Sequence, residues 1–314
     1  MRVERYNPSC RDRWDQFVAE SRNGTFLFLR HYMEYHQDRF EDCSLVIYDE
    51  RDRLAALLPA NRSGPTLASH GGLTYGGVVF DASMSVVRMA EVFDALLKHL
   101  RRESFTLLQY RAVPHIYHRV PSEEDLYVLA RNGARLVHRA ILSVIGSSHP
   151  LPPQTRRARG ARKARAAGLA CRESDDLAGY WALLTEVLWQ TYRATPVHSL
   201  EEIVLLRRRF PDRIRLFGCY RGEEVVAGVV VFESSRVARA QYIAASEEGK
   251  RLGALDLLFR HLLHEVFAAK AYFDLGTSES SDGRDLNRGV LEFKESLGAR
   301  TVAQDTYELT IFPD

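Results

Sequence analysis

The sequence predicts an α/β protein, an α+β mixed-sheet design, built from two successive copies of one unit with a cleft between them. Three observations carry this. At about 150 residues per domain, 314 residues make two domains, each long enough to bury its own core. Apolar periodicity and turn signals give both halves the same element order, ααβββαβαβ. Finally, Gly133-Ala134-Arg135 enters the last strand of the first half, and Gly298-Ala299-Arg300 enters that of the second. The expected boundary lies near Pro150, giving units 1–150 and 151–314.

In the first half, helical spacing predicts helices over Arg11–Glu20 and Arg30–Phe40. Strands follow at Ser44–Tyr48 and Arg53–Arg62 around the charged turn Asp49–Asp52, and another extended stretch covers Leu67–Phe80. Val86, Met89, Phe93, Leu96 and Leu100 lie on one stripe of a helix over Ser83–Arg102. A strand over Phe105–Tyr110, a helix ending near Gly133 and a strand over Ala134–Ile145 complete the half. In the second half, helices are expected over Leu177–Tyr192 and Leu200–Arg209, the latter opened by the capping box Ser199…Glu202. Strands at Arg215–Tyr220, Val225–Glu233 and Ala238–Ala244 precede a helix over Ala254–Ala268. A strand over Ala271–Leu275, a helix over Asn287–Leu297 and a strand over Thr301–Phe312 follow.

Composition narrows the function. A net charge of +2 excludes a strongly basic nucleic-acid coat, and with it a DNA-binding role. The opening MRVERYNPSC has no apolar leader, and the run Val225–Phe232 is too short to cross a bilayer. Cys10, Cys43, Cys171 and Cys219 are scattered and form no CxxC pair, so neither a disulfide framework nor a metal site is expected. These features together predict a cytoplasmic protein without metal.

The strongest anomaly is basic. Between Leu126 and Arg172 there are ten Lys or Arg residues and no acidic ones, six of them from Arg156 to Arg165. Arg159, Arg162, Lys163 and Arg165 have helical neighbours three or four residues away. Collecting like charges without an anionic partner is costly, so the segment reads as a phosphate-facing surface.

The order ααβββαβαβ is that of the GNAT acyltransferase fold. A tandem pair of such units resembles the FemABX peptidyl transferases and the related BioF2-like acetyltransferase domain. TRRARGARKARAAGLACRES, Thr155 to Ser174, looks like the basic helix that leads into the second Fem-type unit. LEFKESLGAR, Leu291 to Arg300, looks like the Phe-Lys-Glu helix near that family's C-terminus. The resemblance implies acyl transfer to an amine, with Lys294 aligned to the lysine that handles the acyl donor and its oxyanion. Asp274, at a strand end, is the carboxylate best placed to take the amine's proton. No GxSxG elbow or cysteine-nucleophile signature occurs, in keeping with direct transfer.

The GNAT pyrophosphate loop corresponds to Gln241, Tyr242 and the following SEEGKRLG, where Gly249, Lys250, Arg251 and Gly253 match the usual pattern only in part. Arg159, Arg162 and Lys163 are the other candidate donor-phosphate contacts. Candidate substrate contacts are His70 and Tyr75 in a glycine-rich stretch, and Tyr110, Arg111, His115 and His118 after a strand. His198, Ser278 and Asn287 join them, with His198 either on a surface loop or facing the cleft. The expected donor is acyl-CoA, acetyl-CoA in the simplest case, and the acceptor a small-molecule amine of an amino-sugar or envelope precursor. Aminoacyl-tRNA as donor, and a non-catalytic protein that binds a phosphorylated ligand, are the alternatives.

Overall fold

The computed structural model describes residues 1–279 and 285–312. The chain forms two compact units: Met1–Ala140 with the C-terminal segment from Ala303, and Ile141–Val302.

In the first unit, β1 (Arg2–Arg5) precedes α1 (Arg11–Glu20) and the short α2 (Arg30–Met33). The expected helix over Arg30–Phe40 is only this α2 followed by one 3₁₀ turn, Glu34–His36. Strands β2 (Glu41–Asp42), β3 (Leu45–Tyr48), β4 (Leu54–Leu58), β5 (Asn61–Ser63), β6 (Thr66–Ala68) and β7 (Val79–Phe80) follow. The strand expected over Arg53–Arg62 is divided at Pro59, which has no N–H to give to a ladder. Then come α3 (Val86–Arg102), β8 (Leu107–Arg111), α4 (Glu124–Arg131) and β9 (Arg135–Gly146). Strands β1, β3, β4 and β7 make one antiparallel sheet. The apolar stripe of α3 packs Met89, Phe93, Leu96 and Leu100 against Leu45, Ile47, Phe80 and Tyr110.

The second unit opens with α5 (Thr155–Ala166) and β10 (Leu169–Ser174). The basic segment read as one helix to Ser174 thus stops at Ala166, and Gly168, at φ +79°, turns the chain into a strand. Helices α6 (Leu177–Tyr192) and α7 (Leu200–Arg209) have the expected bounds, and both halves of the Ser199–Glu202 capping box are formed. Next are β11 (Ile214–Arg221), β12 (Glu224–Glu233), β13 (Val237–Ala245), α8 (Glu247–Leu252), α9 (Ala254–His261), β14 (Tyr272–Thr277), α10 (Arg288–Ser296) and β15 (Arg300–Thr310). Where one helix to Ala268 was expected, α9 gives way to a π turn over Leu262–Val266.

Strands β10 to β13 pair antiparallel in order, and β13 pairs parallel with β14. That parallel pairing runs over three residues only and ends at Arg239 opposite Asp274. Beyond this pair the ladder stops, and several of the candidate site residues lie next to it on the two strands.

Candidate active site

Asp274 is fully buried, and both its oxygens are engaged: Oδ2 by the Arg239 guanidinium, Oδ1 by the Gly276 N–H at 2.7 Å. A carboxylate so enclosed is not placed to take a proton from an acceptor. Its geometry is that of a clamp that holds Arg239 and shapes the end of β14. Gly276 has φ +74°, and a Cβ there would come within 3.4 Å of the Arg239 guanidinium, so glycine fits both the turn and the cation beside it.

Asn287 caps α10 through its side chain, which accepts from the Val290 N–H, and its backbone N–H donates to the Ser278 carbonyl. These contacts fix the helix so that Lys294 points back at β14. The Lys294 ammonium donates to the carbonyls of Gly276 at 3.1 Å and Thr277 at 2.5 Å, and the side chain is 4% exposed. Burial lowers its pKa to about 8, against the opposing pull of Asp274 and with a further push from Arg239. An ammonium has three donors, so two are spent on these carbonyls. Ser278, also buried, has a hydroxyl with no hydrogen-bond partner among the described residues.

On β13, Gln241 accepts from Arg239 at 3.2 Å and sits at an irregularity of the β12–β13 ladder. The Tyr242 hydroxyl meets His198 Nδ1 at 2.5 Å and accepts from the His198 backbone N–H at 3.3 Å. The Trp181 indole donates to the His198 carbonyl at 3.3 Å and packs edge-on against Tyr242. His198 is therefore a buried member of this cluster, not a surface-loop residue. Arg239, Trp181 and Tyr192, whose hydroxyl accepts from Asn287 at 3.3 Å, were missed from sequence. Arg239 had a signal: a lone cation between alanines in a strand whose neighbours on both sides are buried.

The segment expected to form a phosphate loop is a capped helix. Ser246 caps α8 by accepting from the Gly249 N–H, and the first turn carries Glu247 and Glu248. Lys250 pairs with Glu247 and Arg251 with Glu248. The two glycines serve packing: a Cβ at Gly249 would lie 2.1 Å from the Val226 carbonyl, and one at Gly253, φ +82°, 2.6 Å from that of Gly160. Gly253 thus seats α5 against α9, as does the Arg157–Asp256 ion pair at 2.7 Å. With Ala161 and Ala164 buried on the same face, α5 is a packed helix that exposes Arg159, Arg162 and Lys163.

The remaining candidates belong to the first unit. The Tyr110 hydroxyl donates to Asp125 and accepts from the Val78 N–H at 2.7 Å, with both side chains in the core, so Tyr110 has no free group for a substrate. Tyr75 is buried and donates to Thr25 at 3.1 Å. His118 Nε2 meets the Val113 carbonyl at 3.1 Å, and burial lowers its pKa to about 4. Arg111 donates to the Leu73 carbonyl at 3.2 Å, while His115 is exposed. His70 is buried at φ +60°, stacked on His36, with its pKa pulled to about 3 by burial. Among the described residues no group of three or more His, Cys, Asp or Glu is arranged to hold a metal. No described helix is long and apolar enough to cross a membrane.

Residues 154–295 match the family of the acetyltransferase (GNAT) domain. No curated protein matches the chain by sequence. Among solved structures, FemX superposes with a TM-score of 0.70 at 10% identity, covering 99% of this chain and 97% of that one. L-PGS from Bacillus licheniformis gives 0.62 at 13% identity, covering 97% and 92%. The C-terminal domain of a protein assigned as a lysylphosphatidylglycerol synthetase from Agrobacterium fabrum gives 0.63 at 12%, covering 97% and 93%. Residues 154–295 thus carry an acetyltransferase (GNAT) domain, and the chain along its length has the fold of FemX.

Proposed function

We propose that the chain transfers an aminoacyl group from tRNA to the amine of a small acceptor. The observation that carries this reading is the first turn of α8. A coenzyme A pyrophosphate in the GNAT manner needs free N–H groups at that helix start. Here Ser246 takes the Gly249 N–H, and the cations that could meet a pyrophosphate, Lys250 and Arg251, are engaged by Glu247 and Glu248. The exposed cations of α5 instead suit a polyanionic donor. An aminoacyl product is also what the name of the Agrobacterium fabrum neighbour describes.

In this mechanism the acceptor nitrogen attacks the aminoacyl ester carbonyl, the ester C–O bond breaks, and the amine proton leaves with the released ribose oxygen. The third donor of Lys294 meets the oxyanion as it forms. Asp274 acts as a positioning residue that keeps Arg239 and the Gly276 turn in place. A donor of this kind locates the reaction in the cytoplasm. The unit of Met1–Ala140 with the segment from Ala303, and the unit Ile141–Val302, then correspond to acceptor and donor sides.

The match to an acetyltransferase domain favours a second reading, acyl-CoA as donor to an amino-sugar or envelope precursor. A thermal-shift comparison separates the two, since whatever binds the native state raises its melting temperature. Bulk aminoacyl-tRNA should stabilise the protein and acetyl-CoA should not. Stabilisation by acetyl-CoA alone would overturn the tRNA reading. A protein that merely bound a phosphorylated ligand would have no use for a buried lysine with one donor to spare.

A further inference from the structure

Cys171 and Cys219 lie 48 positions apart in the sequence, and their spacing carries no sign of a relationship. The fold makes them directly opposite partners in the antiparallel β10–β11 ladder. Residues so paired have Cα atoms about 4.5–5.5 Å apart, inside the range of about 4.4–6.8 Å that a disulfide spans. Both thiols are free, and they are hydrogen-bonded to each other. That bond draws the Cys219 thiol below its usual pKa and raises the Cys171 thiol, because the pair gives up its first proton easily and holds the second.

The two sulfurs differ in access. Cys219 is fully buried, whereas Cys171 is half-buried and lines a pocket of about 240 Å³ with Arg165, Leu257, Arg260 and His261. Arg165 and Arg260 are exposed and have no ion-pair partner among the described residues. The one carboxylate of that lining, Glu265, meets His261 at 2.7 Å, so with two arginines against it the surroundings of Cys171 are cationic on balance and open, those of Cys219 apolar and closed.

We propose that Cys171 and Cys219 form a reversible dithiol–disulfide site, which small anionic disulfides reach through the pocket beside Cys171. The Cys171 thiolate, formed as its proton passes to solvent or to Cys219, attacks one sulfur of the incoming disulfide and expels one thiolate. Cys219 then attacks Cys171 in the mixed disulfide and expels the second. The protein loses two thiol hydrogens, the small disulfide is reduced to two thiols, and those take up the two protons.

The test uses the full reduced chain and oxidised glutathione, quenched with N-ethylmaleimide and read by intact mass and peptide mapping. Wild type should lose two hydrogen masses and yield a Cys171–Cys219 cross-linked peptide that dithiothreitol removes. Cys219→Ala should stop at one glutathionyl group on Cys171, in several-fold excess over any on Cys10. The double variant Arg165→Glu, Arg260→Glu should slow the reaction with glutathione disulfide about tenfold. It should leave the reaction with neutral 2-hydroxyethyl disulfide unchanged. Full alkylation of both cysteines at oxidant levels that modify Cys10, or a cross-link joining another pair, would overturn the site. An unchanged rate in the charge variant would overturn the role of the pocket.

Discussion

Lys294 reaches across from α10 to donate to the carbonyl of Gly276 at 3.1 Å, tying the helix to the strand end where the β13–β14 pairing has just ended. Replacing it tests its proposed chemical role. In Lys294→Met the stem stays and the charge goes, so turnover should fall by about 10²–10³ while acceptor KM changes little. Melting temperature should move by only a few degrees, because losing two hydrogen bonds offsets the relief of a buried charge. Near-normal single-turnover rates in a folded variant would remove Lys294 from the reaction.

The same lysine sets opposite pH trends for activity and stability. Its folded pKa, about 8, lies below its ordinary value of 10.5. Activity that needs the ammonium should decline as pH rises through about 8. Between that value and 10.5 the unfolded chain binds more protons than the native one at this residue, so its contribution to stability rises with pH. A rate that falls while chemical-denaturation midpoints hold or rise, with both trends absent in Lys294→Met, is the expected result. Parallel loss of rate and stability would point to unfolding instead.

In the first unit, burial raises the Asp125 carboxyl from 3.8 to about 6. A native carboxyl that holds its proton longer than the unfolded one stabilises most below pH 3.8. That contribution is lost as pH rises to about 6. Asp125→Asn should flatten this part of the stability profile. Tyr110→Phe leaves the Val78 N–H and the carboxyl without their partner and should cost about 1–3 kcal/mol in urea unfolding.

Neutralising Arg159, Arg162 and Lys163 together should weaken donor binding without unfolding α5, since its packed face is made by Gly160, Ala161 and Ala164. With tRNA, the log–log salt dependence should become shallower by nearly one unit for each phosphate that the variant no longer neutralises. Equal affinity and slope for wild type and variant would leave α5 as a connector only.

Elements whose boundaries are set by local chemistry were legible in the sequence. α6 and α7 begin where expected because Asp176 and Ser199 are side-chain N-caps, readable from residue type alone. Strand β10 was not read, because alanine and arginine on both sides of Gly168 favour helix and the glycine's role as a stop was passed over. The site was legible in part. Lys294 was singled out by its resemblance to the Phe-Lys-Glu helix and Asp274 by its place at a strand end, but the proton-accepting role first given to Asp274 conflicts with its contact to Arg239, a residue 35 positions away. Tyr110 misled for a similar reason: a tyrosine at a strand end looks available until Asp125 and Val78 take its hydroxyl.

Strand β15 pairs with β8, Thr306 against Arg111 through Thr310 against Leu107, and from Ala303 onward belongs to the unit that begins at Met1. On the ribosome, every residue of the second unit emerges before the Thr306–Thr310 stretch that pairs with β8. Through most of translation β8 lacks its partner, leaving a bare edge of hydrogen-bonding groups on a nascent chain. The first unit to be made is the last to be finished. Cutting the gene at the apparent middle would therefore separate a strand from its own sheet rather than one domain from another.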